Sequence, residues 1–166
     1  MTAADGSLTA AGDARFMLRA LEIALAAQAD GEPPFGALLI DASGEPVAEA
    51  SDEVRRGGDF SLHAEVNVVR RACRRLGPDL SGCTLYTTVE PCPMCFTAAW
   101  LARVQGIVFG ASMEAVFRAT DGAQRELRIP AAQMNTLSGE PLILRGGVLA
   151  ERCLLRFHSP GANAAP

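Results

Sequence analysis

Residues 84–111 of this 166-residue chain read TLYTTVEPCPMCFTAAWLARVQGIVFGA, and the reading of this stretch decides the fold. Thr84 to Thr88 is β-branched and aromatic, the composition of a strand. Cys92 to Ala102 is helix-forming, and Gly106 to Gly110 is a second short apolar strand. Strand, helix and strand in succession predict a parallel crossover, and so an α/β architecture.

Working outward toward the N-terminus, Val66, Val69, Ala72, Cys73 and Leu76 recur at helical spacing, while Arg70, Arg71, Arg74 and Arg75 take the opposite face. Gly77-Pro78 stops that helix. Ahead of a polar loop from Ser51 to Leu62, Phe35 to Asp41 and Pro46 to Ala50 flank the turn-like Ala42-Ser43-Gly44-Glu45 and predict a hairpin. Ala14, Met17, Leu18, Leu21, Ala24 and Leu25 predict an amphipathic first helix from Asp13 to Ala29, ended by Pro33-Pro34. Toward the C-terminus, Leu142 to Arg145 is expected to be a strand and Leu149 to Phe157 a closing helix, with an irregular stretch from Ser112 to Glu140. Met1 to Gly12 and Ser159 to Pro166 offer little apolar surface and are expected to fray.

The length and a hydrophobic fraction of 49% suit one domain over residues 1–166, with an ordered core from about 13 to 158. Lys and Arg number 15 against 19 Asp and Glu, a formal charge of −4, so no overall field draws in a phosphate backbone. No basic stretch precedes an apolar run with a cleavage site, and no apolar segment has spanning length. The expectation is a soluble cytoplasmic protein without a membrane partner. The five cysteines are an odd number, and two of them lie in Pro91-Cys92-Pro93-Met94-Cys95, a spacing that suits a metal better than a disulfide framework.

His63-Ala64-Glu65 opens the second predicted helix, and the paired cysteines lie where a strand turns into the third. Two thiolates one helical turn apart and one imidazole suit Zn2+ and leave a fourth position for water. Unpaired amides at helix N-termini favour the anionic thiolates. Zinc lowers the pKa of bound water from about 15.7 toward about 7, which makes a nucleophile available at neutral pH. Glu65 is not needed as a ligand; two residues from His63, it is placed to move protons between water, a ring nitrogen and a departing amine. A structural zinc site would be closed by a fourth Cys or His. Cys73 falls on the apolar face of its helix and Cys153 in the last apolar run, and both are expected in the core. Phe96 and Trp100 are expected as core or subunit contact, and His158 as solvated.

The combination of His-x-Glu with Pro-Cys-x-x-Cys marks the zinc nucleobase deaminases. The chain resembles the cytidine-deaminase-like superfamily, most closely its guanine deaminase and tRNA adenosine deaminase branch. The resemblance runs from about Arg15 to Phe157 through Pro34-Phe35-Gly36-Ala37, His63-Ala64-Glu65-Val66, the run Leu85 to Cys95, and Val108-Phe109-Gly110-Ala111. It implies a three-layer α/β/α sandwich with a central mixed five-stranded sheet, a homodimer, and an active site at the ends of the two zinc-bearing helices. Carried over by position, His63, Cys92 and Cys95 bind Zn2+, Glu65 shuttles protons, the Ala64 amide helps hold the reacting group, and Phe35 lines the base pocket.

Relatives usually carry an asparagine where this chain has Asp52; a carboxylate only accepts, so Asp52 favours a substrate edge rich in N–H groups. The run Asp59-Phe60-Ser61-Leu62 lacks the family's usual proline, leaving Phe60 or Leu62 to reshape the pocket rim. Glu114 is the acid in the segment after the fourth strand, where relatives place a substrate-contacting carboxylate. The Arg70 to Arg75 cluster could grip a phosphate backbone, but it reads better as a solvated helix face. The chain also ends in a neutral tail, where tRNA enzymes tend to continue into a basic helix. The sequence therefore predicts a hydrolytic deaminase of a free purine-like base or nucleoside, guanine first, with release of ammonia. The alternatives are a tRNA adenosine deaminase, a deaminase of a pyrimidine, pterin or triazine, and a non-catalytic zinc-fold binding protein, against which Glu65 argues.

Overall fold

A computed structural model of the chain describes residues 10–158. Its elements are α1 (Ala10–Ala29), β1 (Gly36–Ile40), β2 (Pro46–Ser51), α2 (Val54–Gly57), α3 (Ala64–Leu76), β3 (Thr84–Val89), α4 (Pro93–Leu101), β4 (Gly106–Ala111), α5 (Met113–Ala119), α6 (Ala131–Leu137), β5 (Ile143–Arg145) and α7 (Ala150–Leu154), closed by a 3-10 turn at Leu155–Phe157. The sheet has five strands in the order β2-β1-β3-β4-β5. β1 runs antiparallel to β2 and β3, whereas β4 runs parallel to β3 and β5. The β1–β2 hairpin and the β3–α4–β4 crossover are those the sequence predicts.

Alternation along the strands divides the core between the two faces of the sheet. Leu39, Leu85 and Ile107 pack with Val68 and Ala72 of α3 and Phe96 and Ala99 of α4. Leu38, Ile40, Tyr86 and Val108 pack with Phe16, Met17 and Ala20 of α1 and with Cys153 and Phe157 near the C-terminal end. Helices therefore cover both faces, giving the three-layer α/β/α sandwich. α1 lies so close to β1 that a Cβ on Gly36 would run into the Ala20 carbonyl and the Ala24 amide.

Several elements differ from the sequence reading. α1 starts at Ala10, so Ala10 to Gly12 is helical rather than frayed; residues 1–9 and 159–166 lie outside the described residues. Its buried face runs through Asp13, Phe16, Met17, Ala20, Leu21, Ala24 and Ala27, leaving Leu18 and Leu25 exposed. The rotation follows from Asp13, which accepts from Tyr86 Oη at 2.8 Å and from Arg145 Nη2 at 2.9 Å and so is buried with its partners. α3 is turned in the same way: Ala64, Glu65, Val68, Val69 and Ala72 are buried, Cys73 only partly, and Leu76 is exposed. Small Ala64 and Ala72 let that helix approach the sheet, and Glu65 is buried because it has a partner there. The stretch from Ser112 to Glu140 is not irregular throughout, since it forms α5 and α6; Ser112 Oγ caps α5 by accepting the Ala115 N–H at 3.1 Å. Among the described residues no helix is long and apolar enough to cross a membrane.

Candidate metal centre and active site

His63 and Cys92 are the residues immediately before α3 and α4, and both have extended backbone, with φ −65° and ψ 151° for His63 and φ −63° and ψ 167° for Cys92. Neither side chain caps its helix. Both side chains are thus left to meet in front of two helix N-termini, with Pro93 opening α4 where its missing N–H costs nothing. Cys95, one turn further on, is buried.

His63 Nδ1 stands 3.7 Å from Cys92 Sγ and 3.4 Å from Cys95 Sγ, and the two sulfurs are 3.6 Å apart. A tetrahedral zinc ion places two sulfurs about 3.8 Å apart and a sulfur and a nitrogen about 3.6 Å apart, from bond lengths of about 2.3 and 2.0 Å. The triangle fits that ion to within a few tenths of an ångström. Among the described residues these three are the one cluster of ligand-type side chains, so no fourth protein ligand closes the site. Cys83 and Cys153 are buried in the core and Cys73 packs against it.

In the metal-free chain, the hydrogen bond with Cys95, followed by His63, holds the Cys92 thiol down at about 4 against the cost of burial. The same bond, burial and the Glu65 charge push Cys95 up. Burial pulls His63 down, but the Cys92 sulfur and the charges of Glu65, Cys92 and Asp52 outweigh it and raise the imidazole to about 9. Such a concentration of exchangeable protons among three ligand-type groups is what metal binding displaces.

Glu65 sits in the first turn of α3, buried beside the triangle. Its Oε1 accepts the Thr87 hydroxyl at 2.9 Å, and its Oε2 lies 3.4 Å from Cys95 Sγ. Burial raises its pKa despite the nearby His63. Thr87 comes from the central strand β3 and is fully buried. Nothing in the sequence reading singled it out, because a threonine in a strand looks like a β-former first.

Asp52 is buried at the end of β2, where its Oδ1 accepts the Val54 N–H at 3.0 Å. Desolvation raises its pKa, and it lies within electrostatic reach of His63. The loop behind it is anchored by Glu32, which accepts the Arg55 and Arg56 N–H groups at 3.0 and 2.9 Å, and by Asn67 Nδ2, which donates to Ser51 and Leu62 carbonyls. Phe35 is half-buried and meets Phe157 edge-on at 5.3 Å between ring centroids. Ala64 is fully buried, and as the first residue of α3 its amide has no intrahelical partner. Phe60 is 71% exposed, while Leu62 is half-buried.

Glu114 does not join the site. Its carboxylate is exposed and committed to Arg118 at 2.9 Å and Arg128 at 3.2 Å. The acid within electrostatic reach of the site is Glu126, half-buried in the loop between α5 and α6. Burial, with the charges of Cys92 and Glu65, pushes its carboxyl up to about 7. In the sequence Glu126 stands in the aperiodic run Gln124-Arg125-Glu126-Leu127, which carries no signal that would have found it. The arginine cluster is a helix face: Arg71 and Arg75 donate to the Glu49 and Val47 carbonyls at 2.6 and 2.9 Å, while Arg70 and Arg74 are exposed.

Comparison with known proteins agrees with this geometry. The chain is 45% identical over 97 residues to the tRNA(Ile)-lysidine synthase of Deinococcus radiodurans, covering 58% of this chain and 17% of that protein. It is 43% identical over 100 residues to the tRNA-specific adenosine deaminase of Bacillus subtilis, covering 60% of this chain and 62% of that protein. The chain thus spans less than two thirds of the length of either relative. In structure it resembles the guanine deaminase from Nitrosomonas europaea, with a TM-score of 0.75 and 27% identity over 91% of this chain and 84% of that one. The family pattern described as "Cytidine and deoxycytidylate deaminase zinc-binding region" matches residues 11–111, which include the three zinc-type ligands and Glu65. With that match over more than half of its length and the ligand triangle built to zinc dimensions, the chain belongs to the cytidine and deoxycytidylate deaminase zinc-binding family.

Proposed function

We propose that the chain is a zinc-dependent hydrolytic deaminase of a free purine-like base or nucleoside, with guanine the first candidate, releasing ammonia. The observation that carries this reading is Glu65, a buried carboxylate held by Thr87 beside an open three-ligand zinc site without being needed as a ligand. Zinc, when bound by His63, Cys92 and Cys95, activates water as a nucleophile at neutral pH. Glu65 then takes the proton from the attacking water and delivers protons to the ring nitrogen and to the departing amine. The Thr87 hydroxyl orients Oε1 for that work.

Substrate contacts belong to the same proposal. The Ala64 N–H donates to the reacting group, Phe35 forms an apolar wall, and Asp52 accepts from the base through Oδ2, its Oδ1 being bound to backbone. Glu126, in place of Glu114, is the second acid at the site. Two carboxylates that can accept hydrogen bonds suit guanine, which keeps an N1–H beside its departing amine, better than adenine, whose exocyclic amine is itself the departing group and whose N1 carries no hydrogen. The proposal also takes the active form to be a cytoplasmic homodimer, which light scattering of the zinc-loaded protein would test.

The similarity to a tRNA-specific adenosine deaminase favours a second reading, in which the exposed Arg70 and Arg74 contact tRNA. Incubating the zinc-loaded protein with free purines, pyrimidines, pterins, triazines, nucleosides and tRNA while following ammonia separates the two. Ammonia from guanine is the expected result; ammonia from tRNA alone overturns the small-substrate reading. No turnover of any member of the panel would leave the non-catalytic binding protein as the better account.

A further inference from the structure

We propose that Glu90 is a positioning residue: its carboxylate ties both ends of residues 113–131 to the segment that presents the zinc ligands, and so sets where Glu126 stands at the active site. The kinetic part of this inference rests on the deaminase reading above. Glu90 follows β3 and lies two residues before Cys92. Its own N–H donates to the Ala111 carbonyl at 2.8 Å, which fixes its backbone against the end of β4. Its Oε2 accepts the Met113 N–H at 3.0 Å and its Oε1 accepts the Ala131 N–H at 2.8 Å.

Met113 is the first residue of α5 and Ala131 the first of α6, and the amides at these positions have no partner within their own helices. One negative charge therefore serves two helix N-termini, where it is favoured by the helix dipoles. Both residues are buried, so losing the acceptor would strand two N–H groups away from water. Both carboxylate oxygens are engaged, which leaves Glu90 for architecture and not for substrate.

The consequence follows from chain connectivity. Residues 114–130 run from the start of α5 at Met113 to the start of α6 at Ala131, and Glu126, late in that excursion, lies within electrostatic reach of His63, Glu65, Cys92 and Glu90. With the two ends pinned to a residue covalently next to the zinc-binding turn, the excursion is held over the same site that Cys92 helps build. With the ends free, Glu126 would be carried by a loop tied to the site only through the packing of Val116 and Ala131 into the core.

The test uses full-length, zinc-loaded protein with Glu90→Gln, Glu90→Asp and Glu126→Gln. The amide of Glu90→Gln can accept only one of the two N–H groups and turns a donor toward the other. We expect zinc content to stay at one ion per chain, amide hydrogen exchange to rise within residues 112–131 and nowhere else, and trypsin to cut faster after Arg118, Arg125 or Arg128. On the base that the wild type deaminates, KM should rise about tenfold or more with a smaller change in kcat, and Glu90→Asp should recover part of the loss. The double variant Glu90→Gln/Glu126→Gln should be no worse than Glu126→Gln alone, because the first change acts through the second residue. Multiplying effects in the double variant, or unchanged exchange in 112–131, would overturn the assignment. So would loss of zinc and fold in both Glu90→Gln and Glu90→Asp, since the role would then be general stability. If the wild type deaminates nothing, the deaminase reading fails, while the exchange measurement still decides the clamp.

Discussion

Replacing Glu65 with glutamine is the sharpest perturbation of the proposed chemistry, because it removes the proton carrier and almost nothing else. The amide oxygen can still accept the Thr87 hydroxyl that Oε1 accepts now at 2.9 Å, and the amide N–H can face Cys95 Sγ, 3.4 Å from the present Oε2. Alanine would be a poorer choice. It would open a cavity and leave the fully buried Thr87 hydroxyl without its acceptor, costing about 1–3 kcal/mol of stability that has nothing to do with catalysis. In the glutamine variant the unfolding free energy should stay within about 1 kcal/mol of wild type, and zinc should stay stoichiometric, since His63, Cys92 and Cys95 are untouched. A positioned general acid–base contributes about 10²- to 10⁴-fold, or about 3–5 kcal/mol of barrier. The assay is kcat from ammonia release, paired with metal analysis and a urea unfolding curve on the same preparation. A Glu65→Gln protein with full zinc content and kcat within threefold of wild type would refute the reasoning, however strongly the fold resembles a deaminase.

Three further outcomes follow from the geometry. Tyr86→Phe deletes a buried hydroxyl that donates to Asp13 at 2.8 Å, and should cost about 1–3 kcal/mol in urea unfolding; no loss would mean that the Arg145 contact alone satisfies Asp13. In zinc-free protein at pH 6, iodoacetamide should modify Cys92, held at about 4, well before Cys153, pushed up to about 11, and added zinc should protect it; labelling of Cys92 at the same rate with and without zinc would contradict the assigned ligand set. Glu126 has a folded pKa of about 7, above the ordinary value of a glutamate, so its contribution to the stability of metal-free protein is fully present below about pH 4.5 and is lost as pH rises through 7. Glu126→Gln should therefore flatten the stability profile between those values, by up to about 3 kcal/mol, and an unchanged profile would place the carboxyl in solvent.

The parts legible from sequence share one property, which is that neighbours in the chain are neighbours in the site. Cys92 and Cys95 lie one helical turn apart, and Glu65 follows His63 by two residues, so spacing alone brings the ligands and the acid to two helix starts. The β3–α4–β4 crossover and the β1–β2 hairpin are local in the same sense. The faces of α1 and α3 were harder to read. A pattern that sends polar residues outward cannot foresee that Asp13 meets Tyr86 and Arg145, or that Glu65 meets Thr87, across distances of 73, 132 and 22 residues in sequence.

The acids around the pocket mark the boundary most clearly. From its residues the chain declares a zinc site, a proton carrier and an α/β scaffold, because metal coordination and strand–helix alternation are written in short-range spacing. Only the tertiary structure decides that Glu114 turns to Arg118 and Arg128 at the surface while Glu126 comes within electrostatic reach of His63, Glu65 and Cys92. That choice depends on where the excursion after β4 folds back, and two backbone N–H groups from α5 and α6 held by Glu90 pin its ends. Backbone amides are the same for every residue type except proline, so no side-chain pattern along those helices could have announced the pairing.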